Sequence, residues 1–157
     1  MKEKSFASLP VFLVDDEESV LHASAAVLHS AGVANIQMVS DSRELLSMLG
    51  QQPASAVLLD LMMPHISGTK LLPDIVHLYP EVPVIVMTAA QDVETAVRSM
   101  KEGAFDYLVK PVEESRLVAS VRHALEVHSL RRQMGVLKRY LLSDCLQNNE
   151  AFAGIIT

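Results

Sequence analysis

Three aspartates, one threonine and one lysine stand where they could handle a phosphoryl group. Asp15 and Asp16 follow the apolar run of PVFLVDDEES, Asp60 closes AVLLD, Thr88 closes VIVMT, and Lys110 closes YLVK just before Pro111. Each follows a short apolar run and so falls at the carboxyl end of a candidate strand. In open parallel sheets ligands gather beyond those ends, which brings the five side chains to one rim. Crowded like charges repel, more so when partly buried. A cation between them relieves this, and hard oxygen ligands select Mg²⁺ or Mn²⁺. Metal and lysine would neutralise phosphoryl oxygens while the hydroxyl donates one hydrogen bond. Asp60 is the best candidate nucleophile: carboxylates form covalent acyl phosphates, and it alone has no acidic neighbour. Singly, each residue has a plainer reading, with Asp60 capping a loop, Thr88 starting a turn and Lys110 solvated. The argument rests on all five falling at strand ends.

The elements that must position them are legible as an alternation. PVFLVD, NIQMVS, SAVLLD, VPVIVMT and FDYLVK are short apolar runs rich in branched residues. Continuous apolarity predicts parallel strands covered on both faces. Helical spacing separates them. It is carried by Val20, Ala23, Ala26/Val27 and Ser30, by Leu45, Leu46 and Leu49 between Ser42 and Leu49, by Leu71, Leu72, Ile75 and Leu78, and by Val93, Ala96, Val97 and Met100 before Gly103. The fold class is α/β, a doubly wound (βα)5 flavodoxin-like sheet.

Composition narrows the function classes. The chain has 157 residues, 50% of them hydrophobic and 20% charged, with net charge −6. A core of ordinary size is expected and disorder is not, and the acidic balance argues against nucleic-acid binding by this segment. The single Cys145 cannot form an internal disulfide, which fits a reducing, cytoplasmic compartment. No apolar run reaches the roughly 18 residues of a membrane span, and the basic start MKEK leads into too short an apolar run for a signal peptide. Neither G-x-x-x-x-G-K-[ST] nor G-x-G-x-x-G occurs. His22 and His29 would stand about 10.5 Å apart along a helix, too far to chelate one metal directly. His65, His77, His123 and His128 suggest packing or surface roles. A dehalogenase-type phosphatase would need a second aspartate two positions after Asp60, where Met62 stands.

The set of DD at Asp15-Asp16, LLDLMMP with Asp60 and Pro64, Gly68, MTA at Thr88 and KP at Lys110-Pro111 resembles the receiver domain of two-component response regulators, the CheY-like family. The resemblance covers about residues 8–128. It implies Mg²⁺ held by Asp16, Asp60 and the backbone carbonyl of Met62, with Asp15 assisting through water. It also implies phosphorylation of Asp60 by a sensor histidine kinase or by small donors such as acetyl phosphate, stabilisation of the phosphoryl group by Thr88 and Lys110, and a cis Lys110–Pro111 bond. Such a domain is a regulatory module that catalyses only its own phosphorylation and dephosphorylation. In the family's switch Thr88 moves inward and the aromatic at Tyr107 follows, remodelling the face of the fourth helix, fifth strand and fifth helix. The residues that usually place the hydrolytic water are Met62 and Ala90 here, which implies slow dephosphorylation. The small Ala89 leaves phosphodonors room to enter.

The fifth helix is expected to outrun the domain. Val127, Leu130, Met134, Leu137 and Leu141 repeat as a heptad seam, continuing to about Leu142 despite Gly135, which costs roughly 1 kcal/mol against alanine. Either the helix packs on its own domain or it is a parallel dimer helix leading onward. Arg131, Arg132, Lys138 and Arg139 form a solvated basic face. The tail NNEAFAGIIT resembles the lead-in to the AAA+ ATPase domain of NtrC-type, sigma-factor-dependent enhancer-binding activators. The expected organisation is therefore a receiver over 1–128, a helical and possible coiled-coil linker over 129–142, and the start of a truncated downstream domain over 143–157. A homodimer, with AAA+ and DNA-binding domains beyond this chain, follows from the resemblance. A receiver governing an enzymatic or protein-binding output is the alternative.

Overall fold

The computed structural model describes residues 9–156, with side chains through Leu146. Expectations that fall on residues 1–8 and on the side chains of Phe152, Ile155 and Ile156 lie outside the described residues. The elements run β1 Val11–Val14, α1 Glu18–Ser30, β2 Ile36–Val39, a short 3-10 turn Ser42–Glu44, α2 Leu45–Gln51, β3 Ala56–Asp60, α3 Gly68–Leu78, β4 Val84–Ala89, α4 Val93–Lys101, β5 Asp106–Lys110 and α5 Glu114–Ile156. All five strands are parallel, in the order β2-β1-β3-β4-β5.

Strand alternation builds two cores. Val11 and Leu13 of β1 point to one face with Leu58, Ile85, Met87 and Leu108, where Leu21, Ala25 and Leu28 of α1 and Leu117, Val121 and Ala124 of α5 cover them. Phe12 and Val14 point to the other with Val57, Leu59, Val84 and Val86, covered by Leu45, Leu49, Leu71, Leu72 and Ile75 of α2 and α3. A strand buried on both sides must be apolar along its length, and β1 is, as is β3 as far as Leu59. The edge strands are not. Met38 of β2 and Tyr107 and Val109 of β5 are exposed, on the two strands that pair on one side only.

In two helices the buried stripe is not the set of residues whose spacing marked the helix. In α1 the buried stripe is Leu21, Ala25 and Leu28, one step round from Val20, Ala23 and Val27, since Leu28 offers more apolar area to the sheet than the alanines. In α4 the buried residues are Ala96 and Ser99, while Val93, Val97 and Met100 are exposed. Ser99 tolerates burial because its hydroxyl donates to the Thr95 carbonyl at 2.9 Å. Gly103 follows α4 at φ +109°, and a Cβ there would meet Val76, so glycine alone fits.

α5 runs to Ile156 rather than ending near Leu142. No proline interrupts it, and Gly135 lies within it without a break. Leu117, Val121, Ala124 and His128 are buried, whereas Leu130, Met134, Leu137 and Leu141 are all more than half exposed. The heptad seam is therefore not packed on its own domain.

Candidate functional site

The order β2-β1-β3 reverses the direction of winding between β1 and β3, the crevice where doubly wound sheets bind ligands. Register pairs Val14 with Leu59 across those strands, so Asp15 and Asp60 emerge side by side at the switch point. Asp15 is fully buried. Its amide donates to the Val39 carbonyl at 3.1 Å, and its carboxylate accepts from the Glu17 amide at 3.0 Å. Asp60 is 3% exposed and accepts from the Met62 amide at 3.1 Å. Lys110 reaches from the end of β5 to bridge the two, 2.8 Å from Asp15 and 3.0 Å from Asp60. Asp16 is exposed but contributes a carboxylate oxygen within 4.8 Å of oxygens from both other acids.

Burial is the largest influence on Asp60 and pushes its carboxyl up, helped by the charge of Asp15 and opposed by the Met62 amide and Lys110. Burial works to lower Lys110, but its hydrogen bonds to Asp15 and Asp60 prevail and hold it above its ordinary value. With all groups ionised, three negative charges face one positive charge. The excess of two equals the charge of one divalent cation, and the donors are the hard oxygens that Mg²⁺ or Mn²⁺ prefers. The residues therefore fit such an ion.

Thr88 is buried on β4. Because Asp60 pairs with Met87, Thr88 lies one residue further along on the adjacent strand, toward the rim. The Lys110–Pro111 peptide is cis. Tyr107 is 40% exposed, and Val109 of the same strand and Val93, Val97 and Met100 of α4 are exposed as well. Beside it Asp106 is held by Arg116 at 3.1 Å and Ser120 at 2.8 Å. Burial would raise Asp106, but these bonds outweigh it and keep its carboxyl below the ordinary value. Met62, 67% exposed, and Ala90, also exposed, bring no polar side-chain donor or oxygen to the rim.

Two constraints on the loop after Asp60 were not read from the sequence. Gly68 starts α3 against the phosphoacceptor's own backbone: an added Cβ would collide with the Asp60 carbonyl oxygen and lie 2.7 Å from Leu61 Cα. Gly68 carried a motif signal, though its reason is steric and visible only in three dimensions. Ser42, 2% exposed, donates to the Pro64 carbonyl at 3.1 Å and accepts from the Ile66 amide at 3.2 Å. A serine in a turn carries no signal of such a role.

A five-stranded 2-1-3-4-5 sheet with an acidic pocket at its switch point defines a receiver-type fold. The sequence matches the response regulator receiver domain over residues 11–122, and the chain belongs to that family. An NtrX-like response regulator of Rickettsia felis is 38% identical over 129 residues, 81% of this chain and 27% of that protein. The transcriptional regulatory protein ZraR of Escherichia coli K12 is 36% identical over 124 residues, 78% of this chain and 28% of that protein. The crystal structure of NtrX from Brucella abortus superposes with a TM-score of 0.75 at 28% identity, covering 82% of this chain and 29% of that one. The chain thus spans little more than a quarter of the length of these two curated relatives. Among the described residues no helix is long and apolar enough to cross a membrane.

Proposed function

We propose that this chain is the phosphorylation-dependent switch of a cytoplasmic transcription activator of the NtrC type, with Asp60 as phosphoacceptor. The observation that carries the reading is Lys110 bridging two buried carboxylates at the switch point, with a third carboxylate within 4.8 Å. An oxygen of Asp60 would form the new O–P bond as the P–N bond to a kinase phosphohistidine breaks, and the leaving imidazole takes up a proton. Asp15, Asp16, Asp60 and the Met62 carbonyl would hold Mg²⁺, which supplies charge neutralisation for the phosphoryl oxygens. Lys110 can exchange its bond to Asp60 for one to a phosphoryl oxygen, and Thr88 can donate to another. The chain would catalyse only its own phosphorylation and dephosphorylation.

The exposed Tyr107 supports an unphosphorylated resting arrangement. Phosphorylation would draw Thr88 inward and let Tyr107 follow, a two-state equilibrium biased by one local bond. Output would pass through the exposed seam of α5, pairing with a second copy and changing the arrangement of AAA+ and DNA-binding domains beyond this chain. The partly apolar seam and the matches to NtrX-like and ZraR regulators support this. Incubation with acetyl phosphate and Mg²⁺ should add one phosphoryl group, detected by intact mass, and Asp60→Asn should abolish it. Equal labelling of that variant would move the acceptor elsewhere. The nonpolar Met62 and Ala90 favour a long-lived acyl phosphate. Met62→Asn should hasten its decay, and an unchanged rate would remove that claim.

A further inference from the structure

We propose that Ser42 is a positioning residue for phosphoryl transfer: its buried hydroxyl clamps the loop between β3 and α3 on both sides of His65 and fixes the turn that carries Met62. The inference rests on the phosphoryl-transfer reading above. The loop begins at Leu61, whose carbonyl accepts from the Gly68 amide at 3.2 Å, so its two ends meet. Between them the chain must turn sharply, and it does so at His65, a non-glycine residue at φ +69°. That left-handed conformation persists only where surroundings impose it.

Ser42 supplies the imposition. Its one hydroxyl uses both of its capacities, donating to the Pro64 carbonyl and accepting from the Ile66 amide, the residues flanking His65. The hydroxyl is itself held in place. Asp41 caps the short turn by accepting from the Arg43 amide at 3.0 Å, and the Glu44 amide donates to the Asp41 carbonyl at 3.0 Å. Arg43 also pairs with the Asp41 carboxylate at 2.8 Å, and that bond draws the Asp41 carboxyl down to about 2. The turn after β2 is thereby coupled to the loop that follows Asp60, with the serine as the connecting atom group. Met63 and Ile66 meanwhile pack against the core. Losing the hydroxyl should therefore loosen the loop's polar register without unfolding the loop.

Groups that orient metal ligands from behind typically change metal affinity by about 10-fold to 100-fold when removed. A fair control is available in Ser55, also buried, whose hydroxyl donates to the Leu9 and Pro10 carbonyls at 3.1 Å each at the opposite end of the sheet. Wild type, Ser42→Ala and Ser55→Ala should be titrated with Mg²⁺ alone, following backbone amide resonances and hydrogen exchange at Ile66. The expected result is an affinity about 10-fold weaker in Ser42→Ala with faster exchange at Ile66, and wild-type affinity in Ser55→Ala. Equal affinities in the two variants, whether both unchanged or both weakened, would overturn the positioning role while leaving the phosphoryl-transfer reading intact. A wild type that ignores Mg²⁺ would sink that reading itself, and the positioning role with it.

Discussion

The carboxylate rim and the far half of α5 differ in how completely the rest of the fold determines them. At the rim Asp15, Asp60 and Lys110 are each held by hydrogen bonds. Asp15 is bonded through β2 and the start of the β1–α1 turn, Asp60 through Met62, and Lys110 to both acids. Along the far half of α5, Leu130, Met134, Leu137 and Leu141 touch no core cluster and stand more than half exposed. The rim is a finished geometry with an unbalanced charge. The helix is a finished element with an unburied face. The first already holds Asp15, Asp60 and Lys110 in hydrogen bonds, whereas the second has an apolar face whose packing this fold does not supply.

That contrast can be broken by substitutions on one helix. Leu117→Ala, in the docked half and 4% exposed, should lower unfolding free energy by about 2–5 kcal/mol. Leu141→Ala, 56% exposed, should change it by less than about 0.5 kcal/mol in urea melts at concentrations too low for association. Similar losses from the two would mean that the far half is packed after all.

Gly68→Ala tests whether the rim is as rigid as described. The added Cβ must displace the Asp60 carbonyl or α3, and overpacking of this kind costs about 1–3 kcal/mol. The melting temperature should fall, and Mg²⁺ binding should weaken beyond what a variant of equal instability elsewhere shows.

The seam is sharpened by Leu130→Glu combined with Leu137→Glu. Light scattering at high concentration should find a dimer in the wild type and a monomer in the double variant, with the melting of dilute protein unchanged. A wild type that stays monomeric would count against the seam as a self-pairing surface.

His128 marks the border between the two halves of α5, and its effect should be the smallest. Burial first, then the charges of Arg132 and Arg131, hold its imidazole below the ordinary value of 6.5, with Glu81 pulling the other way. The unfolded chain therefore binds a proton more readily than the folded one. Stability is retained above the unfolded value and falls as pH drops below it. Between about pH 7 and 5 the wild type should lose stability that His128→Gln does not lose, read from denaturant midpoints across that range.

Much of this was legible in the sequence because β1 and β3 are buried on both faces and so cannot hide their apolar runs. The acids following them locate the rim, and Asp15, Asp16, Asp60 and Lys110 do meet there. Helix faces were less legible. The spacing in α1 and α4 marked helices, but which stripe turns inward depends on the sheet beneath, and Ala96 and Ser99 are buried where Val97 is not. Ser42 was illegible because its role depends on two backbone groups distant in sequence. The end of α5 was also misjudged, since helix continuation there has no proline to mark a stop.

The central claim is that the rim accepts a divalent ion and a phosphoryl group on Asp60. The most direct measurement is an amide NMR titration of this chain with beryllofluoride, with and without Mg²⁺. The account predicts Mg²⁺-dependent shifts at Asp60, Thr88 and Lys110 that extend to Tyr107 and vanish in Asp60→Asn. Spectra unchanged by the two together, or shifts that survive in Asp60→Asn, would contradict it.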